Sequence, residues 1–249
     1  MNNPAISVVI PAFNEEAVIE KAVRSVKSQE ISEPVEILVI NNDSTDDTAS
    51  IARKAGAAVI TESHKGLAYA RARGVKEARG EYTVFMDADS HMPQDLLKKS
   101  LDYFAAHPDV VGLSCGLTYY DARFIDKIGI MIFNTILVPF GLFFLRLLGK
   151  PDFLIASYII CKTEALRKGG GIDMDFPFFG DDTRISMRLG TQGKVRFLTS
   201  LRVQTSARRL QKEGILATIF RYWSVFLFLH FVSVSAAKSL ALSYSYKKV

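Results

Sequence analysis

Cysteine is scarce in this chain. Among its 249 residues the only cysteines are Cys115 and Cys161. Two cysteines are too few for a disulfide framework or for a metal site built from thiolates. Small domains stabilised by several disulfides or by a cysteine-bound metal are therefore excluded. Each cysteine lies in an apolar run, which is typical of a small core residue. The scarcity favours a reducing compartment.

Long runs of one charge are also missing. The formal net charge is +5, from 31 lysines and arginines against 26 aspartates and glutamates, and the basic residues are scattered along the chain. A binding site for nucleic acid is therefore not indicated. The modest excess fits an anionic ligand or an anionic membrane surface.

The N-terminal sequence MNNPAISVVIPAF has no basic segment followed by a long apolar run. It does not match a signal peptide, so we expect a cytoplasmic protein. No internal repeat or low-complexity linker is present either. With 249 residues, of which 49% are hydrophobic, we expect one compact domain of the size of an enzyme.

What the sequence does contain is an alternation of apolar runs and helical patterns. Runs without polar alternation predict strands covered on both faces, and they lie at 6–10, 35–40, 57–61 and 82–86. Apolar residues at helical spacing follow the first three runs. This alternation predicts an α/β fold with a parallel sheet and right-handed crossovers. The loops 11–15, 41–46, 64–66 and 87–89 should then share the rim at which such sheets bind ligands.

The last of these loops carries two aspartates in the stretch GEYTVFMDADSHMP. Extended backbone places Asp87 and Asp89 on the same side, with small Ala88 between them. Paired carboxylates repel each other unless a cation neutralises them, and these hard oxygen ligands suit Mg²⁺ or Mn²⁺ bound to phosphates. The alternative is a solvated acidic turn that caps a helix beginning near Pro93.

An apolar segment at 128–148 approaches the length of a membrane span. Asn134, Pro139 and Arg146 interrupt it, so we expect a pair of helices, interfacial or buried, with a membrane span as the alternative.

A second apolar segment at 215–237 is rich in aromatic residues and is followed by Lys238, Lys247 and Lys248. This combination favours contact with an anionic membrane. A helix buried in the domain is the alternative.

Weaker patterns lie between these features. They predict helices at 94–106 and 181–189, and strands at 110–120, 153–161 and 195–198.

Six motifs, taken in order, resemble those of the family 2 glycosyltransferases. They are SVVIPAFNEE, NNDSTDDT, KGLAYARARGVKEARGEY, DAD at 87–89, GGID at 170–173 and GDDTRISMRL at 180–189. The resemblance covers about residues 5–210. It implies the GT-A fold, which is Rossmann-like with a mostly parallel sheet flanked by helices, here with apolar helical segments near 128–148 and 215–237.

The resemblance also implies a division of the chain. A catalytic domain would occupy residues 1–210, with the nucleotide-binding half at about 1–108 and the acceptor half at about 109–210. Residues 211–249 would form an apolar C-terminal helical segment.

Site residues follow from the same resemblance. The nucleotide-sugar would bind Pro11, Ala12, Asn14, Glu15, Asn42, Asp43, Arg71, Asp87, Ala88 and Asp89. Arg71 would approach the diphosphate. Asp89 would bind the metal directly, Asp87 would face the ribose and the metal, and Asp182 would be the catalytic base.

Elementary chemistry agrees with these roles. Sugar transfer with inversion needs a carboxylate to accept the acceptor's proton, and cations to stabilise the departing diphosphate. Asp182 suits the first task, although at a helix start it could be a plain N-cap. Arg208 and Arg209 could hold phosphate, with Asp181 beside them at an acceptor or phosphate site, or form a solvated basic turn. His91 is a candidate third metal ligand, with a surface histidine as the alternative.

Three departures from the family pattern affect these expectations. Asn41 and Asn42 stand where the family usually carries aspartates, so the choice of nucleoside stays open. Asp181 stands where many members have glutamate. The segment 156–158 lacks the glycine and asparagine often found there, so the acceptor stays open too.

We therefore expect a Mn²⁺- or Mg²⁺-dependent inverting glycosyltransferase at the cytoplasmic face of a membrane. Its expected donor is a UDP-sugar and its acceptor a carbohydrate or a lipid-linked molecule, with no role for nucleic acid. The alternatives are a polyisoprenyl-phosphate hexosyltransferase and a non-catalytic nucleotide-sugar-binding protein. A dinucleotide-binding domain is excluded because the first turn, PAFNEE, lacks the required glycines.

Overall fold

The computed structural model describes residues 4–176 and 178–245. The expected basic flank at Lys247 and Lys248 lies outside the described residues.

The first half of the chain alternates strands and helices, as the apolar runs predict. Its elements are β1 (Ile6–Ala12), α1 (Ile19–Lys27), β2 (Val35–Asn41), α2 (Thr48–Ala55), β3 (Ala58–Thr61), α3 (Leu67–Glu77), β4 (Tyr82–Phe85) and α4 (Leu96–Ala106). In β1, Val8 and Ile10 pack into one buried cluster and Val9 packs into another. A strand covered on both faces needs apolar residues without alternation, which explains the sequence ISVVI.

The second half is less regular. Its elements are β5 (Val110–Tyr119), α5 (Phe124–Ile132), a π-helical segment (Phe133–Leu137), α6 (Val138–Leu147), β6 (Ile159–Lys162), α7 (Thr163–Lys168), α8 (Asp181–Gly190), β7 (Lys194–Thr205), α9 (Arg208–Glu213), α10 (Ile215–Phe231) and α11 (Val234–Ser245).

Across the described ranges, seven strands form one sheet in the order β3-β2-β1-β4-β6-β5-β7. β1 is parallel to both of its neighbours, β2 and β4, whereas β6 is antiparallel to β4 and β5. The predicted mostly parallel α/β sheet is confirmed. Because Val9 pairs with Phe85, the loops that follow β1 and β4 leave the sheet side by side.

The expected pair of helices at 128–148 is wrong. α5, the π-helical segment and α6 follow one another without a break, and together they form what we call the long apolar helix, residues 124–147. The helix does not end at Pro139, which lies just after the π-helical segment. The widened π turn directly before it absorbs the irregularity.

One face of the long apolar helix packs on the domain, through Val138 and Leu142 against Phe197 of β7. The stretch Asp126–Leu147 is long and apolar enough to cross a membrane, and only 17% of its most apolar window is buried. The exposed side carries Ile128, Met131, Ile132, Ile136, Leu137, Phe140, Phe143, Phe144, Leu147 and Leu148.

Other predicted bounds also need correction. The strand expected at 153–161 is only four residues long, β6, and the one at 195–198 extends to twelve residues, β7. Residues 215–237 are split between α10 and α11. Val225 and Leu229 of α10 pack on Phe176 and Phe179. The residues after 210 therefore complete a buried cluster, while a domain boundary at 210 stays a prediction.

Candidate functional site

A cavity of about 650 Å³ opens at the carboxyl rim of β1, β2 and β4. Its polar lining includes Glu15, Asn42, Lys65, Arg71, Asp87, Asp89, Asp181, Asp182, Arg208 and Arg209. Pro11, Ala12 and Ala88 also lie in its wall. The rim that the strand pattern predicts therefore does gather the loops 11–15 and 87–89 around one space.

The two aspartates after β4 have different partners. Asp87 accepts a hydrogen bond from the Ser157 hydroxyl at 2.9 Å and lies 3.4 Å from an Arg71 nitrogen. Asp89 lies 2.9 Å from Nε of Arg208. Burial, together with the charge of Asp87, raises the pKa of Asp89 to about 6. A buried carboxylate beside a second carboxylate is costly to ionise unless a cation lies close by. A solvated acidic turn, the alternative interpretation of this segment, would carry no such cost.

Arg71 connects this pair to the other acidic motif. It projects from α3, is 1% exposed, and forms ion pairs with Asp181 and Asp87. Its Nε makes no hydrogen bond to any part of the chain that the structure describes. A buried guanidinium with spare donors at a cavity wall is suited to an anionic ligand.

Asp182 is the second residue of α8 and is 9% exposed. One of its carboxylate oxygens accepts the backbone N–H of Thr183 at 2.7 Å. Burial raises the pKa of Asp182 to about 6. The residue that precedes the helix is Gly180, so the plain N-cap interpretation of Asp182 is wrong.

Gly180 explains how α8 comes so close to α10. Its φ is +86°, a conformation that glycine adopts easily, and a Cβ at this position would lie 2.7 Å from Val225. The glycine thus allows the first turn of α8, with its two aspartates, to pack directly against α10.

The two arginines that begin α9 have defined partners, although the Arg208 side chain is 53% exposed. Arg208 donates to Glu15 at 2.7 Å as well as approaching Asp89. The Arg209 guanidinium lies 4.1 Å from the ring centre of Phe178 and donates to the Tyr222 hydroxyl at 2.7 Å. Both therefore have fixed partners in the cavity wall.

Three predicted site residues lie elsewhere. Asn14 and Asp43 do not line the cavity, and both have positive φ. The Asn14 side chain accepts the N–H of Thr45 at 2.9 Å, which joins the loops after β1 and β2. His91 is also outside the lining, because its ring stacks on Tyr120 at 5.0 Å.

Asn42 does reach the cavity, but its carboxamide is engaged. Its nitrogen donates to the carbonyls of Glu62 and His64, and its oxygen accepts the N–H of Gly66 at 2.7 Å. Asn42 therefore shapes the loop in front of α3. Both of its N–H donors are engaged, so within this arrangement only its oxygen could accept a further hydrogen bond from a nucleobase.

Asp87 and Asp89 fit a divalent cation by their chemistry. Within residues 4–176 and 178–245, no group of three or more histidines, cysteines and acids is placed to hold a metal. Mg²⁺ and Mn²⁺ commonly take one or two carboxylates from a protein and the remaining oxygens from water and substrate phosphates. Two carboxylates that open into a cavity satisfy that pattern.

Sequence reasoning missed the contribution of α10. Thr218, Ile219, Tyr222, Trp223 and Phe226 line the cavity, although the segment was expected to lie outside the catalytic domain. Positions 219, 222, 223 and 226 recur at helical spacing, so one face of α10 could be identified from sequence. The sequence pattern does not indicate which part of the protein that face covers.

The comparisons with known sequences agree with these observations. A sequence profile described as Glycosyl transferase family 2 matches residues 7–170, more than half of the chain. The uncharacterized glycosyltransferase EpsJ of Bacillus subtilis is 32% identical over 119 residues, 45% of this chain and 34% of that protein. Glycosyltransferase AglE of Haloferax volcanii is 32% identical over 124 residues, 47% of this chain and 41% of that protein. The match thus spans less than half the length of either relative.

Solved structures show the same fold. The mannosyltransferase PcManGT from Pyrobaculum calidifontis, in complex with GDP-Man and Mn²⁺, has a TM-score of 0.64 at 19% identity, covering 100% of this chain and 77% of that one. S. aureus TarS 1-349 in complex with UDP has a TM-score of 0.63 at 19% identity, covering 95% of this chain and 69% of that one. The GT-A fold expected from the motifs is confirmed.

Proposed function

The chain belongs to glycosyl transferase family 2, and from this premise we propose that it transfers a sugar from a nucleotide diphospho-sugar to an acceptor, with inversion at the anomeric carbon. The observation that carries the proposal is the meeting of four side chains in one cavity. They are Arg71, Asp87, Asp89 and Asp182.

In this proposal the donor lies at the rim. The nucleoside rests against the loop after β1, at Pro11 and Ala12, with the diphosphate toward Arg71 and the arginines of α9. Asp87 and Asp89 hold Mn²⁺ or Mg²⁺, which supplies positive charge against the departing diphosphate. The complexes of PcManGT with GDP-Man and Mn²⁺ and of TarS with UDP support a donor of this class. A UDP-sugar is the donor we propose to test first.

Asp182 is the proposed base. It accepts the proton of the acceptor hydroxyl while the acceptor oxygen forms a bond to the anomeric carbon. The bond from that carbon to the diphosphate oxygen breaks, and its electron pair leaves with the nucleoside diphosphate. A pKa of about 6 supports the role, because the carboxylate is ionised at neutral pH yet still basic enough to accept a proton.

Asp181 and the arginines have positioning roles in this scheme. Asp181 pairs with the buried Arg71 and so fixes the guanidinium that faces the diphosphate. Arg208 and Arg209 supply two further cations at the same end of the cavity. No role in metal binding is proposed for His91, since it stacks on Tyr120 outside the cavity lining.

A donor screen tests the proposal. The protein is melted with UDP-, GDP- and dTDP-sugars, each with and without Mn²⁺, and the shift in melting temperature is recorded. We expect one nucleotide class to raise the melting temperature, and to do so more strongly with Mn²⁺ present. If no nucleotide sugar has an effect and none is hydrolysed or transferred, the proposed function is wrong.

The proposal extends to location. The exposed side of the long apolar helix and the apolar side of α10 would rest on the cytoplasmic face of a membrane, next to the cavity. Phe140, with 62% of its surface exposed, and Phe220, with 65%, support this, since apolar surface of this extent is unusual on a protein that meets only water.

Two alternatives remain to be tested beside this one. In a polyisoprenyl-phosphate hexosyltransferase the acceptor would be a lipid phosphate, which the basic side chains of α9 could contact. A non-catalytic nucleotide-sugar-binding protein would need no base, and the buried Asp182 at the cavity wall speaks against it. Measuring transfer to each acceptor class separates the three.

A further inference from the structure

The cavity has an apolar half that a nucleotide sugar does not require. Beyond the charged side chains, β5, the long apolar helix, the segment before β6 and α10 contribute a group of apolar residues to the wall, beside polar Tyr119, Asn134, Thr218 and Tyr222. The apolar residues are Leu117, Ile130, Phe133, Phe153, Ile219, Trp223 and Phe226. The ribose, diphosphate and sugar of a donor are hydrophilic and would gain little from contact with this wall, and its planar base is proposed to lie at Pro11 and Ala12 instead. The apolar half therefore fits a different molecule.

Two helices shape this half. Ile130 and Phe133 come from the long apolar helix, and Ile219 and Trp223 come from α10. The two helices lie against each other at Gly141, where a Cβ would lie 3.2 Å from the Trp223 ring. The lining residues of these two helices thus form two sides of an apolar slot within the cavity.

The slot borders the surface that we propose to rest on a membrane. Met131 and Ile132 follow directly after Ile130 on the long apolar helix, and both are exposed. On α10, exposed Phe220 follows Ile219. An apolar chain entering from a lipid layer would thus stay in contact with apolar side chains from the surface to the cavity.

The charges of the cavity favour an uncharged head group. Five carboxylates line it, Glu15, Asp87, Asp89, Asp181 and Asp182, against four basic side chains, Lys65, Arg71, Arg208 and Arg209. A bound divalent cation and a diphosphate donor would leave this set close to neutral or slightly negative. A second phosphate would add unbalanced negative charge, whereas a hydroxyl adds none and matches a carboxylate base.

We propose that the acceptor is an amphiphile that carries a hydroxyl head group, with its hydrocarbon chain in the slot between the long apolar helix and α10. This rests on the proposed function, because the hydroxyl is the group that Asp182 deprotonates. As its oxygen bonds to the anomeric carbon, the bond to the diphosphate breaks, and the nucleoside diphosphate leaves with the electron pair.

The single tryptophan of the chain, Trp223, lies in the wall of the slot and reports binding directly. The full protein is titrated with octyl, decyl and dodecyl glucoside below their critical micelle concentrations, and tryptophan emission is followed. Affinity should rise about fourfold for each added methylene, the value expected for burial of a CH₂ group. An emission change that does not depend on chain length would overturn the proposal.

Variants locate the probe. Ile130→Asn and Ile219→Asn change the two sides of the slot separately, so one informative variant remains if the other fails to fold. Each should weaken dodecyl glucoside binding by tenfold or more. Phe140→Ser, on the exposed side of the same long helix, is the matched control and should bind as the unchanged protein does. Equal weakening in the control would show that the probe coats the outer surface, and the slot assignment would then be wrong.

Transfer assays separate this inference from the proposed function. With a donor identified by melting, dodecyl glucoside should be glycosylated faster than free glucose and faster than dodecyl phosphate. Preference for dodecyl phosphate would overturn the hydroxyl head group, and equal rates with free glucose would overturn the slot. Chain-length-dependent binding without any donor binding would support the slot while contradicting the proposed function.

Discussion

Nε of Arg208 lies 2.9 Å from a carboxylate oxygen of Asp89, and the same guanidinium donates to Glu15. The Arg208 guanidinium thus bridges two carboxylates, Glu15 from the loop after β1 and Asp89 from the loop after β4. The hydrogen bond to Glu15 and the nearby charge of Asp89 raise the pKa of Arg208 above its usual range. Since Asp89 is also a proposed metal ligand, Arg208 and a divalent cation compete for the same carboxylate.

Arg208→Gln should therefore bind Mn²⁺ more tightly in the absence of nucleotide. Removing the competing cation leaves Asp89 without its ion-pair partner, and a partly exposed ion pair is worth about 1 kcal/mol, which is about fivefold in affinity. The free Mn²⁺ signal in electron paramagnetic resonance measures the change. Arg209→Gln is the matched control, because Arg209 contacts Phe178 and Tyr222 rather than Asp89. Unchanged or weaker Mn²⁺ binding in Arg208→Gln would contradict the competition.

Asp89→Ala should abolish the Mn²⁺ dependence of donor binding and lower turnover to background. The variant loses a proposed direct ligand, so the charge of the diphosphate is no longer balanced. Calorimetric titration of the donor, with and without Mn²⁺, gives the result. Should the donor still bind more tightly when Mn²⁺ is added, the metal assignment fails.

Asp182→Asn should lower turnover by roughly two orders of magnitude or more while leaving donor affinity nearly unchanged. An amide keeps the shape of the side chain but cannot accept the acceptor's proton. Asp181→Asn is the informative comparison, since Asp181 pairs with Arg71 and should affect donor binding instead. Steady-state kinetics and donor titration distinguish the two effects. A parallel loss of donor affinity in Asp182→Asn would make that residue structural.

The strands and the rim of the site could be predicted from sequence because their signals are local. The run ISVVI is apolar at every position since β1 is covered on both faces. Asp87 and Asp89 follow β4 directly, so their position at the rim follows from the strand itself. The meeting of the β1 and β4 loops then requires only that the two strands be neighbours in a parallel sheet.

The remainder depends on tertiary contacts that the sequence does not display. Asn14 and Asn42 have the residue types of ligand contacts, yet the structure uses them to join loops. Pro139 suggested a break, but the π-helical segment before it keeps the helix continuous. The place of α10 at the cavity wall depends on the close approach that Gly180 permits.

Protonation of Asp182 predicts a specific pH dependence of stability. Burial raises the pKa of this carboxyl in the folded protein to about 6, from its usual value of 3.8. An acid whose folded pKa is raised destabilises the fold once it is ionised, so the cost is full above pH 6 and disappears below about pH 4. Asp182→Asn should therefore be more stable than the unchanged protein at pH 8, by at most about 3 kcal/mol, and equally stable near pH 4. Urea unfolding at the two pH values tests this, and an equal difference at both would contradict it.

The long apolar helix has an exposed side that can be tested separately from the site. Its inner side is fixed to the domain, where Arg146 donates to buried Asp152 at 2.6 Å and Val138 packs on Phe197. The outer side can therefore be changed without disturbing the site. A truncation after Gly214 would be a poor test, because it would remove α10 and with it one wall of the cavity.

The triple variant Phe140→Ser, Phe143→Ser, Leu147→Ser should float less well with phosphatidylglycerol vesicles than the unchanged protein. All three side chains are more than half exposed, and burying each in a lipid interface would favour binding by about 1 to 2 kcal/mol. Tyr69→Ser is the control, since Tyr69 is an exposed ring on α3, outside both apolar helices. Donor-induced melting shifts should be the same in all three proteins, which shows that the cavity is intact. If the triple variant floats as well as the control, the outer side of this helix does not meet the membrane.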